Sequence, residues 1–262
     1  ISTVFGNTDI DTATRIAEDL SGRFAMGEIP VYRGAAQAID LQQPDHNEGV
    51  AAMAQALMRE PMTIMAIGPA TNIGLLLLHY PEVIDNIQAV LCVAGRRAHQ
   101  DAFTVGPLHS PPFPDLNFDL DPEAFRIMLQ EDIPLILLPF EISSKVWITG
   151  DDLNQLAETG PEGAYLAEHS QGWLKQWEEY GVRGFNPFDV LASAYLVQED
   201  SFAEEVLAAR IEVHPDDTDE RGTAFKPYLL VGKSQDNILG WVRYVYSPAR
   251  NFKQKLLEVF RK

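Results

Sequence analysis

Cysteine is nearly absent from this chain. One thiol, Cys92, serves 262 residues, so no internal disulfide can form and a reducing cytoplasm is the expected location. Cys92 lies in the apolar run Ala89-Val90-Leu91-Cys92-Val93, where a small buried hydrophobe is expected rather than a nucleophile. Long apolar runs are missing too: none approaches the roughly 20 residues of a membrane span, and the opening residues lack the basic, apolar and small-residue series of a signal peptide. Positive charge is scarce, with 20 Lys and Arg against 38 Asp and Glu and a formal charge of −18. Such a surface repels nucleic acid and anionic membranes, so neither is an expected partner, while a small neutral substrate stays open. No G-x-G-x-x-G follows an expected strand, which weakens a dinucleotide-binding reading. The acidic run Asp216-Asp217-Thr218-Asp219-Glu220 lacks the spacing of a calcium-binding EF-hand loop and reads as a solvated turn. No repeat, linker or low-complexity segment interrupts the chain, so one domain over residues 1–262 is expected.

What is present is an alternation of short apolar strands with amphipathic helices. Strands are expected over Ile1–Phe5, Ile29–Tyr32, Met62–Ile67, Ala89–Ala94 and Ile133–Pro139, with helices between several of them. After Phe140 the texture changes. Helices are expected around Asp151–Glu158, Gly163–Glu179, Pro187–Val197 and Asn251–Arg261, and strands over Ala208–Val213, Thr223–Val231 and Trp241–Tyr246. The pattern predicts an α/β fold: an open, mostly parallel sheet flanked by helices, with a Rossmann-like core and right-handed crossovers. Ligands of such sheets bind beyond the carboxyl ends of the strands, so the loops there hold the candidate site.

The stretch Asp115-Leu116-Asn117-Phe118-Asp119-Leu120-Asp121-Pro122-Glu123-Ala124 concentrates polar groups just ahead of a helix. Asp121-Pro122-Glu123 is a helix start, with Asp at the N-cap and Pro at the first helical position. That start does not account for Asp115 and Asn117. Two residues apart in an extended segment, they point the same way and offer acceptors and donors suited to sugar hydroxyls, or else they cap turns. Asn7, Ile67-Gly68-Pro69 and Asn186-Pro187-Phe188-Asp189 occupy other loops of interest. Trp173 and Trp177, at i and i+4, form an aromatic stripe suited to core or subunit packing more than to a cofactor box.

Four segments in order resemble the inosine-uridine preferring nucleoside hydrolases, which cleave the N-glycosidic bond of ribonucleosides around a bound calcium ion. They are Ile1-Ser-Thr-Val-Phe-Gly-Asn7, Ile67-Gly-Pro-Ala-Thr-Asn72, Asp115 to Ala124, and Asn186-Pro-Phe-Asp-Val-Leu-Ala-Ser-Ala-Tyr195. The resemblance implies that Asn7 and Asn117 hydrogen-bond ribose hydroxyls and that Asp115 stands where the family has a Glu with a similar task. It implies that Asp189 and the Ile67 carbonyl bind calcium, whose preference is for oxygen ligands. His46 resembles the His of a family His-Gly motif and joins the candidate substrate-binding groups. A homodimer or homotetramer is implied as well.

Two departures accompany the resemblance. The family's D-x-D-x-x-x-D-D motif, with the carboxylate thought to activate water, is not in this sequence, so the expectation is a chain lacking roughly one strand-helix unit of about 30 residues at its N-terminus. Phe188 stands where many members have a His that protonates a purine leaving group; it can stack on a base or pack, but it cannot donate a proton. The leading expectation is therefore a calcium-dependent ribonucleoside hydrolase whose catalytic base is not assigned. The alternative is a nucleoside- or ribose-binding relative that has lost the metal site and the chemistry.

Overall fold

In the computed structural model, which describes residues 1–98, 100, 102–106 and 110–259, polar residues mark the helix starts. Asp9 and Asn47 accept the Thr12 and Val50 N–H groups at the heads of α1 (Ile10–Phe24) and α2 (Glu48–Arg59). β1 (Met62–Ala66) feeds α3 (Thr71–His79), and β2 (Ile87–Cys92) is followed by β3 (Arg96–Arg97), α4 (Leu116–Leu120) and α5 (Pro122–Gln130). Next come β4 (Leu135–Leu137), α6 (Phe140–Ser143), α7 (Gly150–Ala157), α8 (Pro161–Glu178) and α9 (Val190–Val197). The chain ends on β5 (Phe202–Pro215), β6 (Phe225–Gly232), β7 (Gly240–Pro248) and α10 (Phe252–Glu258). Among the described residues no helix is long and apolar enough to cross a membrane.

The described strands form a seven-stranded sheet in the order β1-β2-β4-β7-β5-β6-β3. Parallel pairing joins β1 to β2, β2 to β4, β4 to β7 and β3 to β6, while β5 runs antiparallel to both of its neighbours. Six strands therefore share one direction, as the alternation predicted, and only β5 opposes them. Side chains alternate across the sheet. Val90, Cys92, Leu135 and Leu137 enter one buried cluster with Leu57, Leu76 and Met128. Leu91 and Ile136 enter another with Ile142, Leu191 and Phe252. Burial on both faces is why β2 and β4 read as continuous apolar runs. Cys92 is fully enclosed, and that burial, with the charge of Asp115 adding to it, pushes its thiol up to about 12. It is inert filler, as expected.

The two opening strands do not join this sheet. Ser2 and Tyr32 make an isolated parallel bridge, extended by the Thr3 N–H to Tyr32 and Phe5 N–H to Ala35 bonds. Asn72 ties the two segments together through its buried amide. Its Oδ1 accepts from the Ala35 N–H at 2.9 Å, and its Nδ2 donates to the Thr3 carbonyl at 2.7 Å. The acidic turn is also more than solvated, because Asp217 pairs with buried Arg96 at 2.6 Å and Asp216 lies 3.4 Å from Lys226.

α3 is buried over most of its length, and it meets α5 closely at Gly74, where a Cβ would lie 2.5 Å from the Ile39 side chain and 3.0 Å from the Ala124 backbone. Asp121 fastens this junction. Its Oδ1 accepts the Ala124 N–H at 3.2 Å, and its Oδ2 accepts the Thr71 hydroxyl at 2.6 Å and the Ile39 N–H at 3.1 Å. Asp121→Ala strands donors from α3, α5 and the Ile39 loop together. The expected result is a loss of about 3 kcal/mol in urea unfolding, from a lost cap and unpaired buried donors. A loss below about 1 kcal/mol would mean that these donors find other partners.

Candidate active site

A cavity of about 590 Å³ opens at the carboxyl edge of the parallel strands. Ile67 follows β1, Val93 and Ala94 follow β2, and Phe140 follows β4; all line it, together with Asn7. Asp115 and Asn117 line it too, but not from an extended segment. Asn117 lies within α4 and Asp115 at its head, and the Asp115 side chain makes no cap bond. Instead both tie α4 to the loop leaving β2. The Gly95 N–H donates to Asp115 Oδ2 at 2.6 Å, and Asn117 Nδ2 donates to the Val93 carbonyl at 3.0 Å. Gly95 has φ +90°, a conformation glycine adopts without strain.

Asp115 is 8% exposed, and burial pushes its carboxyl up to about 7. The Gly95 N–H opposes that rise, Asp119 adds to it, and Arg96 and Lys226 moderate it. At neutral pH the group divides between a protonated donor and an ionised acceptor. Asp189 sits at the head of α9, yet its side chain makes no cap bond there. It is an exposed residue on the cavity wall, yet the protein crowded around it desolvates its carboxyl and raises it to about 6. Asn186 is 1% exposed, and its Nδ2 donates to the Val146 carbonyl at 2.7 Å while its Oδ1 has no partner.

The remaining wall is aromatic: Phe103, Phe113, Phe140, Phe188, Trp173, Trp177 and Tyr180. Phe188 stacks on Phe140 with centroids 5.7 Å apart and meets Trp177 edge-on at 6.2 Å. It therefore packs against its neighbours and also presents surface to the cavity. Trp177 is buried in a core cluster with Leu153 and Leu174, so the packing reading of the stripe holds for it, whereas Trp173 is 44% exposed.

Six of the seven sequence-derived candidates thus meet at one cavity: Asn7, Ile67, Asp115, Asn117, Phe188 and Asp189. His46 is not among the lining residues. Its Nε2 lies 2.9 Å from the Tyr80 hydroxyl and its ring packs on His79, at the end of α3 about 13 Å along the helix axis from the Thr71 end. Capping of α2 by the adjacent Asn47 holds it there. That the Trp173 and Trp177 stripe joins Phe103, Phe113 and Phe140 in one aromatic wall was not apparent in the sequence, because these residues lie on helices and loops far apart in the chain. The only signal was aromatic side chains in segments that follow strands.

The model of the inosine-uridine preferring nucleoside hydrolases matches residues 1–242. The chain belongs to that family. The non-specific ribonucleoside hydrolase RihC of Salmonella paratyphi C is 28% identical, over 95% of this chain and 89% of its own. The protein of the same name from Salmonella newport is 30% identical over 77% of this chain and 70% of its own. Among solved structures, a plant nucleoside hydrolase superposes with a TM-score of 0.77 at 19% identity, covering 99% of this chain and 88% of the other. A purine-preferring ribonucleoside hydrolase from Gardnerella vaginalis gives 0.74 at 15% identity, covering 100% and 90%. These two likenesses establish the nucleoside hydrolase fold.

Calcium takes six to eight oxygen ligands. The Asp189 carboxylate is an oxygen donor of the right kind on the cavity wall. Among the described residues, however, no group of three or more His, Cys, Asp and Glu is gathered to hold a metal. The carboxylates among the described residues therefore do not by themselves compose a calcium shell.

The raised carboxyl of Asp115 has a consequence for stability. With a folded-state pKa of about 7 above an unfolded value of 3.8, the native state keeps a proton that the unfolded chain releases, so stability falls as pH rises from about 4 to about 7. Asp115→Asn keeps an oxygen for the Gly95 N–H and removes this dependence. In urea unfolding with a chelator present, the variant should match wild type near pH 4 and exceed it by about 2–4 kcal/mol at pH 8. Equal stability at both pH values would show that the carboxyl is not desolvated.

Proposed function

We propose that this cavity hydrolyses the N-glycosidic bond of ribonucleosides, adding water across it to give ribose and the free base. The observation that carries the reading is that one cavity gathers the polar groups of Asn7, Asp115 and Asn117 together with a cluster of mutually packed aromatic rings, in a chain of this family. A nucleoside calls for the same two kinds of partner. Asn7 and Asn117 bind ribose hydroxyls through their carboxamides, and Asp115 adds a carboxyl able to donate or accept. The base lies against the aromatic wall, where stacking tolerates rings of different size. The name of the Salmonella relatives, non-specific ribonucleoside hydrolase, supports a broad choice of base.

As the bond breaks, positive charge grows on the sugar ring. The Asp189 carboxylate favours that charge in a cavity partly shielded from water. Phe188 offers no proton to the departing base, so the aromatic wall contributes by placing the base and excluding water. Calcium belongs to the proposal through the family resemblance, with Asp189 and the Ile67 carbonyl as expected donors, and so does a homodimer or homotetramer. A second reading, a binding protein without catalysis, is favoured by Phe188 and by the incomplete set of metal-binding carboxylates among the described residues.

Ribose release from a panel of purine and pyrimidine ribonucleosides, with calcium content measured on the same sample, separates the readings. Hydrolysis is expected with both base classes. Asn117→Ala should lower kcat/KM by about 10- to 100-fold, the loss of one or two sugar hydrogen bonds in a desolvated site. Nucleoside binding without ribose release would establish the binding reading, and neither binding nor release would overturn both.

A further inference from the structure

α4 is a single turn of 5 residues, far below the roughly 12–15 at which a helix begins to hold itself together in water, yet it carries Asn117 and has Asp115 at its head. Its place is therefore fixed from outside. Phe118 is fully buried, while Asp115 and Asn117 are joined to Gly95 and Val93. A further tie comes from β6, where the Lys226 ammonium donates to Asp119 Oδ2 at 2.6 Å. Asp119 stands one turn after Asp115, whose carbonyl accepts the Asp119 N–H at 2.8 Å.

Both members of this pair are largely withdrawn from water, with side chains 14% and 18% exposed. The acidic turn after β5 completes the surroundings. Lys226 Nζ lies 3.3 Å from Asp217 Oδ1 and 3.4 Å from Asp216 Oδ1. Asp217 also pairs with Arg96, whose guanidinium lies 4.1 Å from the ring centre of Phe103 on the cavity wall. Withdrawing an ion pair from water costs about as much as the pairing returns, so the pair adds little net stability. What it fixes is geometry, because a buried carboxylate that loses its cation is strongly penalised. Lys226 meets Asp119 in this way and leaves the Asp115 carboxyl to the Gly95 N–H and the cavity.

We propose that Lys226 is a positioning residue: through Asp119 it holds α4 so that Asp115 and Asn117 keep their places on the cavity wall and grip the sugar of a bound nucleoside. The inference rests on the hydrolase reading above and deepens it. It also gives the acidic turn a task, since Asp216 and Asp217 hold the Lys226 ammonium beside α4.

Inosine and its 2′-, 3′- and 5′-deoxy analogues report the hold on each sugar hydroxyl. The ratio of kcat/KM for inosine to that for an analogue, taken within one protein, does not depend on the fraction of enzyme that is folded. Comparing the ratio between proteins cancels the intrinsic reactivity of each substrate. In Lys226→Met at least one of the three ratios should fall about tenfold, the weight of one sugar hydrogen bond in a desolvated site. Lys226→Arg, which restores a cation, should recover most of that loss. Asp119→Ala cuts the same tie while leaving Lys226 its two other carboxylates, so it carries the test even where Lys226→Met does not fold. It should lower the same ratio, and the double variant should lower it no further than the larger single effect. Three unchanged ratios in an active variant would falsify the assignment and make the pair a support of the fold alone. Additive losses in the double variant, or an Arg enzyme as impaired as the Met one, also overturn it. Wild type that neither binds nor hydrolyses nucleosides removes the hydrolase reading along with it.

Discussion

The carboxylate of Asp121 is the constraint on which the geometry of the site depends. It is 1% exposed and accepts three donors, from the heads of α3 and α5 and from the Ile39 loop. The head of α3 follows the β1 exit that carries Ile67, and the head of α5 follows α4, which carries Asn117. One buried charge thus holds two cavity walls in register. Such a group is tolerated in a low-dielectric interior only when donors meet its oxygens, so the junction forms with its full set of partners or is strongly penalised. Asn72 repeats the device one position past Thr71, fixing the segment that leads to Asn7.

The cavity exploits the same physics in the opposite sense. Asp115 is buried and Asp189 lies more exposed on the cavity wall, neither with a cation in direct contact, and desolvation raises their carboxyls to about 7 and about 6. The cation that could have neutralised Asp115, Lys226, is instead bound to Asp119 at 2.6 Å. Desolvated polar groups facing a cavity have lost water and gained few protein partners. They are poised to exchange that deficit for hydrogen bonds to a polyhydroxylated ligand. The aromatic side needs no such poise, since its rings already pack on one another and present stable faces.

Much of this arrangement was legible in the chain. Asp121-Pro122 announced a helix start through local rules that operate over three residues, and Asp121 does cap α5. The apolar runs of β2 and β4 announced burial on both faces. Local rules failed where a distant group intervened. Ile1–Phe5 reads as a strand, but it makes only an isolated bridge to Tyr32, and the distant Asn72 amide ties it to the Ala35 segment. Asp115 and Asn117 read as an extended pair and instead lie at and within a helix, since their side chains reach across to Gly95 and Val93. His46 matched a motif, yet its loop is held by the cap of α2 and by Tyr80.

Sequence by itself determined the class of fold, the strand exits that open on the cavity and six of the residues that line it, because helix caps, apolar periodicity and strand-end loops are encoded within a few neighbouring residues. The tertiary structure alone decided which side chains share a surface. The Phe103, Phe140 and Trp177 rings come from three separated segments, and the unpaired oxygen of Asn186 is defined only once Val146, 40 residues away, has taken its nitrogen. Hydrogen-bond satisfaction and desolvation are properties of the assembled interior. No single stretch of chain contains all the partners that settle them.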